Sequence, residues 1–455
     1  MENWARGELA TINLGDNLLN NRAAVILKTL SENTEGNIPE AFSSFHDMKA
    51  CYRFFSNTNI NREKILAPHI NSTIGRIQSF PVVLLSSDST SLDFSGKSSI
   101  EGMGRIRSEY SRGFWLHPTL AITPERMCLG VVDAQIWTRD IQIKRELSKV
   151  TSKKQVEDKE SFKWIQSYRS CCEVARQCPD TQVVNVMDRE ADLLELFIEV
   201  SEQKEKCRAA EIIVRSSHNR ISKEGKQLKQ LLQESPVLGE VEFTIPSGRK
   251  REERVVKQEI KAVEFTPRKK WLNHSYLSGT KINAVTAIEK KPPDGVKPIE
   301  WTFLTTLPIE TFEDSWRIIQ YYLCRWQIEV FFKVLKSGCK IEDNCLKTRE
   351  RMENLIAVYM ILAWRVMYLM GLGKNCPDLP GNQFFPVEVC QLLCKKFKKN
   401  KERVSVGEMI ILVARLGGYP ARKNDPPPGV KVIWKGLNKL KSYMEAMELM
   451  EKSYE

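Results

Sequence analysis

Apolar residues recur at helical spacing from the first residues to about position 75, in "GDNLLNNRAAVILKTLSEN" and again in "FHDMKACYRFFSNTNINREKILAPHI". That rhythm predicts a helical, largely polar N-terminal region. It gives way to "FPVVLLSSD", a run of strand length that ends at Asp88. Next comes "FWLHPTLAITPERMCLGVVDAQIW", whose alternation and central "TPER" predict a hairpin. A charged helical stretch at about 155–178 leads into "TQVVNVMDREADLLELF", where a second short apolar strand stops at Asp188 and a helix follows. Between about 212 and 308 the sequence is β-rich, basic and full of turn residues. Helical spacing returns in "YYLCRWQIEVFFKVLK" (321–336) and in "LIAVYMILAWRVMYLMGLG" (355–373). A C-terminal helical region interrupted by "NDPPPG" completes the chain. The 355–373 segment is apolar enough to suggest a membrane span, but Arg365 in its middle would cost about 2.5–3.5 kcal/mol at the centre of a bilayer. A buried core helix is expected instead, with no membrane partner.

Composition narrows this picture. A chain of 455 residues exceeds one comfortable core, and 42% hydrophobic with 28% charged residues is ordinary for a globular protein. The net charge of +12 is more informative. A cationic surface attracts phosphates and speeds encounter with polyanions, which points to nucleic acid. The alternative is a basic protein with no such partner. Twelve cysteines contain no CxxC pair, and histidines number only five. That spacing argues against a zinc site and is simplest as free thiols in a reducing cytosol. "MENWARGELATINLGD" has no basic stretch leading into an apolar run, so no secretory signal is expected.

Two aspartates stand directly after short apolar strands, where a sheet presents side chains at its carboxyl edge. Carboxylates fixed there can hold a divalent cation, which offsets their mutual repulsion; alternatively each Asp caps a following helix. In 321–336 a polar stripe accompanies the apolar one. At ~100° per residue Tyr322, Arg325, Glu329 and Lys336 fall within about 60° of one another, with Lys333 beside them. Arg325 and Glu329 at i,i+4 would also suit a solvated ion pair. On a phosphodiester, the glutamate offers an oxygen to a hard metal. The arginine and lysine grip phosphates, and the tyrosine hydroxyl adds a hydrogen bond.

Asp88 in "SSDSTSL", Asp188 in "MDREAD" and the Tyr-x2-Arg-x3-Glu-x6-Lys pattern at 322, 325, 329 and 336 resemble the DDE transposases of the insertion-sequence-four family, and among them the transposon-five type. "ACYRFFSNTNI", "SRGFWLHPTL", "IVRSSHNR" and "ARLGGY" extend the likeness over most of the chain in the same order. The resemblance implies an α/β fold: an RNase H-like catalytic core with a β-rich insertion, plus helical N-terminal and C-terminal domains. The implied boundaries are 1–75 for DNA-end binding, 76–370 for catalysis with the insertion at about 212–308, and 371–455 for dimerisation. It implies Asp88, Asp188 and Glu329 as catalytic residues and ligands of two Mg²⁺ ions, with Mn²⁺ able to substitute. It further implies cut-and-paste chemistry: nicking of the transposon ends, excision through hairpin intermediates, and joining of 3′-OH ends to target DNA. The partners are then double-stranded DNA, both transposon ends and target, and a second copy of the chain in the end-bound complex. The setting is the cytoplasm of a bacterium, on the nucleoid.

Further residues follow from the same likeness. Trp301 corresponds to a tryptophan that stacks on a flipped base, and its alternative is an ordinary core Trp. Arg215, Arg220 and Arg22 match positions near the end DNA, although Leu18 and Leu19 stand where that type has arginines. The basic runs at 249–270 and 395–403 are either solvated faces or strands and linkers beside DNA. Trp434, Leu437, Leu440 and Met444 form an apolar helical face, which either packs within its domain or makes the dimer contact. Two other functions are compatible with the same fold. One is a non-catalytic DNA-binding inhibitor of transposition, which would not need three metal-ready carboxylates. The other is an RNase H-like nuclease without strand transfer, which would not need the Tyr-Arg-Trp set around Glu329.

Overall fold

The computed structural model describes residues 4–33, 36–97, 99–139, 155–247, 252–268, 281–399 and 403–452. In chain order the strands are β1 (Val82–Ser87), β2 (Thr90–Asp93), β3 (Gly104–Arg105), β4 (Arg112–Ile122), β5 (Cys128–Trp137), β6 (Gln182–Met187), β7 (Glu211–Arg215), β8 (Val237–Ile245), β9 (Arg254–Phe265), β10 (Ile282–Glu289) and β11 (Glu300–Thr305). Helices dominate both ends of the chain, as the sequence rhythm predicts. The chain forms two compact units, each made of non-contiguous segments.

One unit comprises Gln78–Asp88 and Glu146–Trp326. Its strands run in the order β1-β6-β7-β11-β10-β9-β8. The first three are parallel and the rest antiparallel. β1 and β6 are buried from their second residue onward, which is why they read as unbroken apolar runs rather than alternating ones. The helix Leu194–Lys206 makes the crossover from β6 to β7 that a parallel pair requires. β8 alternates between exposed and half-buried positions, as an antiparallel strand with one wet face does. The helix Phe312–Cys324 starts in a reciprocal cap: Thr311 accepts from the Asp314 N–H while Asp314 accepts from the Thr311 N–H. Its Ile318, Ile319, Tyr321 and Tyr322 are buried in one cluster with Leu84, Val186, Ile213 and Phe303 of the sheet.

The other unit comprises Met1–Ile77, Ser89–Arg145 and Gln327–Glu455. β4 is its central strand and pairs antiparallel with β2, β3 and β5. The "TPER" hairpin is present: Arg126 donates to the Thr123 carbonyl at 2.8 Å and adopts φ 69°. The helix Arg349–Asn375 is long and apolar enough to cross a membrane, but 78% of its apolar window is buried inside the protein. Arg365 is accommodated there by the Phe384 carbonyl at 2.9 Å and by the Trp4 ring, whose centroid lies 5.0 Å away. Burial lowers its pKa to about 10. The same unit clamps the first helix, Trp4–Glu8: Glu8 takes two hydrogen bonds from Arg76 at 2.9 Å and one contact with the fully buried His69 at 2.5 Å.

The C-terminal helices Val406–Leu416 and Val430–Lys452 meet backbone to backbone. A Cβ on Gly436 would lie 1.9 Å from the Val413 carbonyl oxygen, and one on Gly417 would lie 1.8 Å from that of Val432. Gly436→Ala must push the two helices apart and is expected to cost about 1–3 kcal/mol. Thermal melting of the full chain tests this, and an unchanged Tm would refute the close approach.

Candidate active site

β1 and β6 are neighbouring parallel strands whose last registered pair is Ser86 with Val186. Asp88 and Asp188 each follow two residues later, just beyond the strand ends. The register therefore delivers two carboxylates side by side at the carboxyl edge of the sheet. Buried Asn185 reinforces this junction, its Nδ2 donating to the Leu85 carbonyl at 2.8 Å and to Ser87 Oγ at 3.3 Å. The helix-cap alternative does not describe either residue. β2 begins at Thr90 after Asp88, and Asp188 precedes the 3-10 turn Arg189–Ala191 without capping it through its side chain.

The helix Phe312–Cys324 brings two partners to this edge. Arg325 Nη1 donates to Asp88 Oδ2 at 2.5 Å, and the Tyr322 hydroxyl donates to Asp188 Oδ1 at 3.3 Å. Arg325 also lies over the Tyr322 ring, 5.7 Å from its centroid. Burial and the nearby Asp188 raise the Tyr322 pKa, despite Arg325 and Arg215, so the phenol keeps the proton it donates. Burial works against the Arg325 charge, but Tyr322, Asp88 and Asp188 outweigh it and raise its pKa. Arg325 is thus committed to Asp88, a partner that the helical wheel alone did not offer.

Arg325 caps the helix Phe312–Cys324 with dihedrals of −53° and −30°, and a separate helix, Trp326–Lys333, follows in the chain. Glu329 is half-buried on that helix and Lys333 is exposed. The following turn, Val334–Gly338, is a π-helix closed by the Cys339 N–H on the Val334 carbonyl at 2.7 Å. A π turn holds an extra residue, so Lys336 leaves the position that uniform α spacing assigns it. Its Nζ donates to Thr90 Oγ1 at 2.6 Å. Burial and Arg107 lower its pKa, against the opposing pull of Glu342, Asp93 and Glu329. Ser89, directly after Asp88, is held by His117, Oγ to Nδ1 at 2.8 Å. His117 is fully buried in β4.

Asp188 and Asp88 share their unit with Tyr322 and Arg325; Glu329, Lys333 and Lys336 belong to the other. Two residues missed by the sequence reading have clear structural roles. Buried Asp192, four positions after Asp188, accepts from the Ser217 and His218 N–H groups at 2.7 and 3.0 Å and fixes the loop after β7. His117 is the second; the only sequence signal for it is a histidine inside an apolar strand.

Several expected site residues have other employment. Arg220 is bound to Asp192 through Nε at 2.8 Å and Nη2 at 2.5 Å, so its guanidinium holds the loop rather than standing open to DNA. Arg22 pairs with Asp47 at 3.3 Å. Trp301 is neither fully buried nor free: it stacks on Phe243 with centroids 6.4 Å apart. Arg215 ends β7, paired with Phe303 of β11. Trp434 and Leu440 are buried within the chain, Trp434 against Gly338. Leu437 and Met444 are half-buried. In the basic run at 249–270, residues 249–251 and 269–270 lie outside the described residues, as do 400–402 of the second run. Of the described part, Arg254, Lys257 and Lys261 are engaged with Glu289, Glu242 and the Gln233 carbonyl.

Three family models match the chain in succession. One described as transposase DNA-binding matches residues 1–60, and one described as transposase DDE domain matches 176–364. The third, the transposase Tn5 dimerisation domain, matches 361–455. The chain belongs to the Tn5-like DDE transposases. A DDE domain implies an RNase H-like core, and the mixed sheet with helical ends accords with it. The enzyme class is that of metal-dependent DNA cleavage and strand transfer. The matched DDE stretch spans Asp188 and Glu329 and begins downstream of Asp88.

Two carboxylates on one sheet edge are hard oxygen donors of the kind that Mg²⁺ and Mn²⁺ take, so the donor chemistry fits a divalent ion. Among the described residues, no group of three His, Cys, Asp or Glu side chains is gathered closely enough to hold one. The positive charge beside Asp88 is supplied by Arg325 instead.

His117→Ala removes the anchor of the residue next to Asp88. A displacement of about 1 Å at a reacting group can cost ~10²-fold in rate, so nicking is expected to slow by about that factor with DNA affinity unchanged. Rates and binding measured on the same end-bearing DNA check this, and an unaltered rate would reject the anchoring role.

Proposed function

We propose that this DDE transposase cuts its element out of DNA and joins it elsewhere, with Asp88, Asp188 and Glu329 as its catalytic carboxylates. The observation that carries the proposal is the in-register delivery of Asp88 and Asp188 beyond β1 and β6. Glu329 follows Arg325 by four residues, on the helix Trp326–Lys333. These carboxylates would hold divalent ions, Mg²⁺ or Mn²⁺ and two per site, which when bound supply nucleophile activation and stabilise charge on the leaving oxygen.

The chain's own residues then orient and grip the DNA. Tyr322 stays protonated and donates a hydrogen bond, released from Asp188 to a phosphate. Arg325 and Lys336 offer a planar fork and a point charge respectively, and exposed Lys333 adds a further cation near the same strand. Trp301, stacked on Phe243, can exchange that ring for an unstacked base. The reaction order is water attack to free a 3′-OH, attack of that hydroxyl on the opposite strand to close a hairpin, reopening by water, and joining to target DNA. Residues 1–75 bind the transposon ends, 76–370 perform the chemistry and 371–455 pair two copies, in a bacterial cytoplasm and on its nucleoid.

Purified protein incubated with DNA bearing the element's own ends tests this directly. With Mg²⁺, 3′ nicks, hairpins and joined products are expected; without it, none. Nicks alone would leave a nuclease, and intact DNA in both arms would leave a binding protein.

A further inference from the structure

We propose that the tip of the β3–β4 hairpin, residues 107–112, is a DNA-backbone contact in which Arg107 grips a phosphate and Tyr110 lies against the same strand. The inference rests on DNA being the substrate and adds an element outside the catalytic motifs.

The hairpin is built to be stiff. At its root Gly104 pairs with Gly113, and a Cβ on Gly113 would lie 1.9 Å from the Leu92 carbonyl oxygen, so the neighbouring backbones touch. Ile106, only 1% exposed, anchors the rising strand, and its N–H donates to the Ser111 carbonyl at 3.2 Å. The tip closes on itself: the Ser108 N–H donates to Ser111 Oγ at 2.7 Å, and Arg112 Nη1 donates to the Glu109 carbonyl at 2.6 Å. This rigid turn holds Tyr110 87% exposed, with no hydrogen-bond partner among the described residues. A large aromatic side chain presented on a stiff support, rather than on a loose loop, loses little entropy when it is bound.

Arg107 has an unusual setting. Its Nε donates to buried Ser91 Oγ at 2.8 Å, and among the described residues its Nη1 and Nη2 take no partner and it forms no ion pair. Elsewhere in the chain Arg169, Arg220 and Arg254 are fixed by carboxylates. Here the hydrogen-bonded anchor is a neutral hydroxyl, and the carboxylate that Arg107 acts on, Asp93, is reached through space rather than through an ion pair. The adjacent residue on β2, Thr90, anchors Lys336 in the same way at 2.6 Å. Two cations are thus tethered to successive hydroxyl residues, two and three positions after Asp88. Arg107 helps to depress the Lys336 pKa, as a neighbouring like charge does. The acidic side chains that face the two cations are Asp93, which accepts from Ser95 Oγ at 2.5 Å and feels both Arg107 and Lys336, Glu342, which accepts from the Asp93 N–H at 2.7 Å, and Glu329, while Glu109 is exposed at the tip. An anchored pair of cations with open N–H groups fits a phosphate, and an exposed ring on the same hairpin fits the adjoining sugar and base.

The test uses the full chain and a labelled random-sequence DNA duplex, with affinity measured across a salt series. Arg107→Gln is expected to weaken binding several-fold and to reduce the slope of log K against log salt by about 1. A benzophenone amino acid in place of Tyr110 is expected to crosslink to the DNA. Equal affinity and slope for Arg107→Gln, or no crosslink from position 110, overturns the proposal. The readouts separate it from the catalytic reading. If Mg²⁺-dependent cleavage is absent yet Arg107→Gln flattens the salt slope, the hairpin contact stands and the transposition chemistry falls. If cleavage proceeds and the variant binds as the parent does, only the hairpin contact falls.

Discussion

Glu329→Gln is expected to abolish nicking, hairpin formation and joining, by on the order of 10³-fold or more in rate, while DNA binding persists. Glutamine keeps the size of the side chain and its hydrogen-bonding reach but removes the anionic oxygen that a divalent ion requires. Glu329 is half-buried on a helix whose apolar residues Ile328, Phe331 and Phe332 are buried, so the substitution leaves the packing face intact. Single-turnover cleavage and a parallel binding measurement decide the matter. Residual cleavage within tenfold of the parent would place the chemistry elsewhere.

Arg325→Ala is expected to show a second large effect, this time on stability as well as on rate. The Arg325–Asp88 contact at 2.5 Å joins side chains only 13% and 17% exposed. Removing one partner strands a carboxylate in a poorly solvated place, which costs on the order of 3 kcal/mol. A cation binding at Asp88 would compensate that charge, and binding to the native state raises apparent stability. The Tm of Arg325→Ala should therefore fall below that of the parent and recover in part on adding Mg²⁺, with a smaller Mg²⁺ response in the parent. Arg325→Lys should not restore cleavage, because an ammonium cannot reproduce the planar fork. A Tm indifferent to Mg²⁺ in Arg325→Ala would argue that Asp88 is no ligand.

Much of the architecture is legible in the sequence because burial writes directly into it. β1 and β6 are covered on both faces, so "VVLLSS" and "QVVNVM" carry almost no charge until the chain reaches the sheet edge. The "TPER" turn and the core helix with Arg365 are legible for similar local reasons. What escapes the sequence is contact between distant residues and departure from ideal geometry. The apolar pattern of the last helix shows that Trp434 and Leu440 need cover, but not that Gly338 and the chain's own core provide it. Arg220 shows its charge and conceals Asp192, its partner 28 positions away. The helical wheel of 321–336 assumes ~100° at every step, and the π turn at Val334–Gly338, which contains Lys336, breaks that assumption.

The interleaving of the two units limits how the chain can be dissected. Each unit takes its segments from separate stretches, and the chain passes from one to the other directly after Asp88 and directly after Trp326. A fragment trimmed to the matched DDE stretch, 176–364, would lack β1. It would lose Asp88 and leave β6 as an open strand edge, an invitation to aggregate. Split versions joined at a surface turn such as Pro124–Glu125 keep every strand and stand a better chance of reassembling when the two pieces are produced together. For this transposase, the smallest piece worth expressing is set by which strands pair, not by where the family resemblance begins.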